Sequence, residues 1–196
     1  MAKIKTTENN SKREFIIAQA AKLFKEKGYK AASMRELAAM VGVEAASLYN
    51  HIDSKNDLLN AVCMNVANRY TSHIDGIEAL DGAVINKIEK LLRFHVTEMM
   101  DNYEEVYVTD HDWRNMDEPY LSEYREMRRD YRRRFAAIVQ KGVENKEIKD
   151  VDANSAVMIF INAIGAVDQW HRIVHKVNRK DLEDNIITIL VDGVRA

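Results

Sequence analysis

Apolar residues recur at helical spacing along almost the whole chain, and the places where that rhythm stops mark its elements. Residues 1–11 are polar and basic and are expected as a flexible arm. From Lys12 onward Ile16, Ile17, Ala20, Leu23 and Phe24 form one helical face, with Lys22, Lys25 and Lys27 opposite. Gly28 ends that helix, as glycine does just past a C-terminus. Ser33 and Glu36 then read as a capping box, in which the hydroxyl accepts from the Glu36 amide and the carboxylate reaches back. The short helix they open, over 35–40, turns Leu37, Ala38 and Val41 inward. Gly42 permits a tight turn into a second short helix over 44–51. Ser54 and Asp57 cap a long helix over 54–73 that begins with Leu58, Leu59 and Val62.

The remaining pattern predicts about five more helices. A loop over 75–82 precedes a helix over 83–102 with Ile85, Ile88, Leu91, Leu92, His95, Val96 and Met99 inward. A short helix or turn occupies 104–116. Pro119 opens a long helix to about 145, proline being favoured in a first turn. Its inner stripe is Tyr120, Tyr124, Met127, Tyr131, Phe135, Ile138 and Val139. Asp152 caps a helix expected to run unbroken to 175, and the last helix covers 180–195.

Composition narrows the class. The chain has 196 residues, 46% hydrophobic and 31% charged, with one proline and seven glycines. So few breakers exclude a turn-rich β-sandwich and favour long helices, and the charged fraction excludes a membrane protein. No apolar run of about 18 residues is present to span a bilayer, and no signal peptide is visible. The single Cys63 excludes an internal disulfide and fits a reducing cytoplasm. The net charge of −2 hides an asymmetry: residues 1–60 hold 10 Lys and Arg against 7 Asp and Glu, a net of +3, leaving −5 for the rest. A basic module joined to an acidic body is the expectation.

Two short helices joined by a glycine turn inside a basic three-helix segment make a helix-turn-helix. The second helix has the side chains of a groove reader. Ala45, Ala46, Ser47 and Asn50 are small or polar, and Tyr49 and His51 stand at its end to donate to phosphates. Gly28-Tyr29, Ser33, Leu37-Ala38, Gly42-Val43, Leu48-Tyr49-Asn50-His51-Ile52 and Lys55 with Leu58 strongly resemble the DNA-binding domain of the TetR family of bacterial transcriptional regulators. Ile52 stands where Phe is more usual. The resemblance implies phosphate contacts from Ser33, Tyr49, His51 and Lys55, and base-edge contacts from Ala45, Ala46 and Ser47 with Asn50 nearby. Arg35 is the candidate for bidentate reading of a guanine.

The fold class expected is therefore all-α, of about nine helices. Residues 1–58 form the three-helix DNA-binding domain and residues 59–196 a helical ligand-binding and dimerisation domain. The segment 152–175 is rich in small residues, and the last helix is apolar on more than one face, which implies a second contact surface. In TetR-family regulators the last two helices pair across a twofold axis. This implies a homodimer on a palindromic operator, with Ala163, Val167, Ile186, Ile189 and Leu190 at the interface.

Residues 119–195 are loosely similar to family members that regulate lipid, sterol and acyl-thioester metabolism, some of which bind acyl-coenzyme A. Arg125, Arg128, Arg129, Arg132, Arg133 and Arg134 crowd one helix, and guanidinium groups bind phosphates bidentately. The expected ligand residues are Met99, Trp113, Tyr124, Met127, Arg128, Tyr131, Trp170 and His171. The alternatives are another apolar or aromatic effector, or an ordinary solvated arginine face beside a tyrosine core. The function expected is a repressor released by an apolar or lipid-like ligand. An activator of the same fold, or a helical ligand-binding protein without DNA function, is the alternative.

Enzyme readings find no support: there is no glycine-rich phosphate loop and no GxSxG. Asp168, His171 and His175 fall on one helical face as a metal triad would. Residue 172 is Arg, where a zinc-protease helix needs Glu, and no metal or cofactor is expected.

Overall fold

The structure is a computed structural model that describes residues 2–172 and 177–196, with side chains from residue 11 onward. Its helices are α1 (Ala2–Lys27), α2 (Met34–Val41), α3 (Ala45–Leu48), α4 (Lys55–Glu78), α5 (Val84–Asp101), α6 (Tyr103–Asp112), α7 (Tyr120–Glu144), α8 (Ala153–Gly165), α9 (Val167–Trp170) and α10 (Arg179–Val194). A 3-10 turn, Trp113–Asn115, follows α6. Among the described residues there is no strand; Ile148 and Arg195 form one isolated antiparallel bridge. Counting α8 and α9 as one broken helix gives nine among the described residues, and the all-α expectation holds.

Several boundaries differ from the sequence reading, each for a physical reason. The stretch expected as a flexible arm is helical from Ala2, because no glycine or proline interrupts the chain before Gly28. The end of α4 extends to Glu78 through the expected loop, since Ile74 and Ile77 are buried there and offset the entropy of the extra turn. Pro119 lies one residue before α7. The segment expected as one helix over 152–175 breaks after Gly165, where a helix-interior glycine costs about 1 kcal/mol against alanine. Beyond it the bonds tighten to i→i+3, with Gln169 N donating to Ala166 O at 3.0 Å and Arg172 N to Gln169 O at 2.9 Å.

The chain divides into two compact units, neither of them one continuous segment. The first comprises Met1–Ala67 with Glu104–Arg125, and the second Asn68–Tyr103 with Glu126–Ala196. The first unit buries Ile16, Ala20 and Phe24 of α1, Leu37 of α2, Leu48 of α3 and Leu58 and Leu59 of α4. In the second, α5 is the central helix, packed by α8, α9 and α10. Ile88, Leu91, Leu92, Phe135, Val139 and Phe160 fill its core, and the two phenylalanines have ring centroids 6.1 Å apart.

Candidate nucleic-acid interface and ligand region

The first unit presents its reader on a tightly capped scaffold. Glu36 N donates to Ser33 Oγ at 3.3 Å and Ser33 N to Glu36 Oε2 at 3.0 Å, closing the capping box. Lys27 pairs with Glu36, and this with the Ser33 bonds holds the carboxyl down to about 2. The Ser33 hydroxyl donates to Glu36 Oε2 at 2.8 Å, so its one proton is already used inside the box. At the other end of α2, Gly42 has φ 77°, and its N–H and that of Val43 both reach Ala38 O at 3.0 Å. This left-handed cap turns the chain straight into α3.

Around α3 the expected reading residues are open. Arg35, Ala45, Ala46 and Asn50 are exposed, Ser47 is half-buried, and Tyr49 keeps 53% of its surface. Leu48, the inward residue of α3, is fully buried and fixes which side of this single turn faces out. His51 is half-buried, and its Nδ1 is enclosed without a hydrogen-bond partner.

Lys55 is engaged within its own unit. Its ammonium donates to Tyr29 O at 2.7 Å, Ala32 O at 2.9 Å and Lys30 O at 3.3 Å, and lies 4.5 Å from the Tyr29 ring centroid. An ammonium has three donors, and all three are engaged by the loop before α2. In this structure Lys55 clamps that loop.

The same loop is held from a second side. Tyr29 N donates to Asp112 Oδ2 at 3.3 Å, and the segment after Asp112 also reaches α4, where Asn56 Nδ2 donates to Asn115 O at 3.2 Å. Burial, then Asp117 and Asp112, push the Tyr29 phenol up. Trp113 and Tyr124, expected among the ligand residues, also belong to this unit, with ring centroids 5.8 Å apart. The Arg114 and Arg125 guanidiniums lie 4.5 and 5.7 Å from the Trp113 ring.

The other expected ligand residues lie in the second unit. Tyr131 is buried, and its hydroxyl meets His95 Nε2 at 2.8 Å. Burial drives the His95 imidazole down to about 3, so it is neutral at physiological pH. Tyr70, Phe94 and Phe135 pack around the pair, and His73 stacks on Phe94 at 3.9 Å with its Nε2 enclosed and unpartnered. Nearby Glu98, 5% exposed, accepts from Arg69 Nε at 2.9 Å. Sequence reasoning missed His73, Arg69 and Glu98. The available signal was polar residues three or four apart inside an otherwise apolar face.

Met99 is buried, and its carbonyl accepts from His171 Nε2 at 2.9 Å. The His171 ring stacks on Tyr103 at 3.8 Å, while the Tyr103 hydroxyl donates to Asp168, which also pairs with Arg172 at 2.8 Å. Burial and then Asp168 lift the Tyr103 phenol to about 12. Asp168 and His171 thus have partners other than a metal, and His175 lies outside the described residues. Trp170 donates to Val177 O at 2.8 Å, and Met127 and Arg128 are half-buried on α7.

Among the expected interface residues, Val167 stands apart. It is 2% exposed, because the break after Gly165 turns it into the core of its own unit. Ile189 is 71% exposed, and Ala163, Ile186 and Leu190 are half-buried. Met158 and Ile159 of α8, at 60% and 56%, are exposed apolar residues that the sequence reading left out of that set.

These features coincide with known proteins across both units. Two family models match: "Bacterial regulatory proteins, tetR family" over residues 16–62 and "Tetracyclin repressor-like, C-terminal domain" over residues 81–194. The HTH-type transcriptional repressor KstR2 of Rhodococcus jostii strain RHA1 is 23% identical, over 96% of this chain and 94% of its own length. KstR2 of Mycobacterium tuberculosis H37Rv is 21% identical, with 94% of each chain covered. The solved structure of the ketosteroid transcriptional regulator KstR2 of Mycobacterium tuberculosis superposes with a TM-score of 0.87 at 17% identity, covering 95% of this chain and 96% of that one. The structure of AibR in complex with isovaleryl coenzyme A and operator DNA gives 0.81 at 18% identity, covering 92% and 98%. The chain belongs to the TetR family of bacterial regulators: it is a helix-turn-helix transcriptional regulator and not an enzyme.

Proposed function

We propose that the protein is a cytoplasmic repressor that binds a palindromic operator as a homodimer and is released by a lipid-like or acyl-thioester effector. The observation that carries the DNA reading is the open face around α3, where Arg35, Ala45, Ala46, Tyr49 and Asn50 all stand in solvent on a capped scaffold. Arg35 supplies the guanine-reading fork, Tyr49 a phosphate donor, and the alanines the close approach and thymine-methyl contact. The dimer reading rests on Met158, Ile159 and Ile189, large apolar side chains exposed on α8 and α10. A twofold pairing of this face matches two readers to two half-sites. The effector reading is supported by the likeness to AibR, whose structure holds isovaleryl coenzyme A, and to KstR2.

In this proposal α6 carries the signal. It starts at Tyr103, held by His171 and Asp168, and ends at Asp112, held to Tyr29. The buried His95–Tyr131 pair is the polar element of the body that an effector oxygen would engage. The test is a fluorescence anisotropy titration of the dimer on genomic DNA fragments at several salt concentrations, with and without acyl-thioesters. Expected are a twofold footprint, affinity falling steeply with salt, and release by an acyl-thioester. Absence of any salt-dependent specific fragment would overturn the DNA reading. Specific binding unaffected by any acyl-thioester or fatty acid would overturn the effector reading alone.

A further inference from the structure

The arginines of α7 sort into two groups. Arg134, only 16% exposed, is locked to Asp75 at 2.6 Å and to Glu78 at 3.0 Å, which raises its already high pKa. Arg125 lies over Trp113. Arg129, Arg132 and Arg133 instead line an open groove of about 480 Å³ in the second unit. Arg133 also pairs with Asp130. Arg129 and Arg132 make no ion pair among the described residues and are exposed. The rest of the groove is Ala136, Ala137 and Ala153 with the amides of Gln140 and Asn154. Ala153 and Asn154 are the first two residues of α8, whose opening backbone N–H groups have no partner within the helix. Of the acids beside it, Asp130 is paired with Arg133, Glu144 accepts from Gln140 Nε2 at 3.2 Å, and the Asp152 carboxylate is turned to the Ser155 amide at 2.7 Å as the N-cap.

Three guanidiniums at spacings of three and four share one helical face, and such forks bind phosphate oxygens bidentately. A single carboxylate leaves most of that charge unmatched, whereas two or three phosphate groups match it. Beside the arginines Ala137 is exposed and offers a small apolar contact, while Ala136 and Ala153 are buried and form the floor. We propose that the α7–α8 groove binds the phosphate groups of a nucleotide-type organic polyphosphate, with its base or an alkyl stem against Ala137. The groove lies on the outer face of α7, whereas Tyr131, on the same helix, is buried with His95. An effector with a nucleotide head and an apolar acyl tail has a place for its head that the expected ligand residues did not include. The proposal rests on the effector reading above for its consequence on DNA, not for the binding itself.

The experiment is isothermal titration of the full-length protein with coenzyme A, 3′-dephospho-coenzyme A, ATP and pantetheine. Variants are the double change Arg129→Gln/Arg132→Gln and, separately, Ala137→Glu, all at exposed positions. Expected are binding of coenzyme A by the parent, weaker binding of the dephospho form, none of pantetheine, and at least a tenfold loss in both variants. Operator release by an acyl-coenzyme A should need correspondingly more effector. Equal coenzyme A affinity in parent and variants overturns the groove and leaves the effector reading standing. Release by a fatty acid, with no nucleotide bound at all, does the same. A variant that loses operator affinity without any effector makes these arginines DNA contacts. One that sediments as a monomer makes the groove an interface between copies. Either result overturns the proposal.

Discussion

Lys55→Met separates two roles that share one residue. The substitution keeps the apolar stem over the Tyr29 ring and removes the ammonium with its bonds at 2.7, 2.9 and 3.3 Å. Bonds from a charged donor contribute about 1.5–3 kcal/mol each when desolvated, but Lys55 is half-exposed and the freed carbonyls can take up water. A total loss of about 2 kcal/mol is the working value. It should appear as a lower urea midpoint at unchanged slope. The loop it releases runs straight into Ser33 and Arg35, so operator affinity should fall by up to about tenfold, uniformly over operator variants, about 1.4 kcal/mol of the loss being felt as loop order. The salt dependence of binding should not change, because no phosphate loses its cation. A phosphate-binding lysine predicts the reverse: the slope of log K against log salt shrinks by about 0.9 for each phosphate left unneutralised, with stability untouched. That second result would refute the clamp.

Burial lowers His95 from 6.5 to about 3 in the folded chain, with the charge of His73 adding to it. The folded value lies below the unfolded one, so this stability is complete above pH 6.5 and is lost as pH falls toward 3. At pH 5 the loss is about 2 kcal/mol, read as a urea midpoint, and it should shrink in His95→Gln; equal losses in both proteins assign it elsewhere. A Cβ added at Gly142 would meet Ile148 Cδ1 at 2.5 Å and Val84 Cγ1 at 3.2 Å, with Ile148 itself buried. Gly142→Ala should therefore cost about 1–3 kcal/mol, and an unchanged melting temperature contradicts that packing. Ile189→Asp places a charge on the most exposed apolar side chain of α10 and should yield monomers in sedimentation with much weaker operator binding. A dimer of unchanged stability moves the interface away from α10.

What was legible in the sequence was local. The Ser33–Glu36 box, the Gly42 turn and the inward Leu48 each depend on residues within four positions of one another, and spacing reports such relations directly. The contact of Asp112 with Tyr29 joins residues 83 apart, and no periodicity encodes it. That is why 104–116 reads only as a short helix or turn between longer helices, while packing places 104–125 in the first compact unit. Lys55 shows the same limit. Its place in the first turn of a helix suggests an anion, but the carbonyls that occupy it come from a loop more than twenty residues earlier. Continuing the helical period across Gly165 puts Val167 on the face of Ala163, but the period changes there.

The bonds from 112–115 to the Tyr29 loop and to α4 bear directly on how small a change would switch the protein. An effector alters operator affinity only by the difference between its binding free energies to the competent and incompetent states, and useful couplings are about 1–3 kcal/mol. Asp112 to Tyr29 and Asn115 to Asn56 are long, half-exposed bonds at 3.3 and 3.2 Å. Each contributes about 1 kcal/mol net. Losing both on effector binding supplies about 2 kcal/mol, or roughly thirtyfold in operator affinity, with Lys55 keeping the loop folded throughout. No unfolding of the reader is needed. Reciprocity then requires operator DNA to weaken effector binding by the same factor, which effector titrations with and without DNA measure. Asp112→Ala should take about half of that coupling away, about 1 kcal/mol, while leaving effector affinity in the absence of DNA nearly unchanged. Full coupling in that variant would show that the signal reaches α2 without passing through Tyr29.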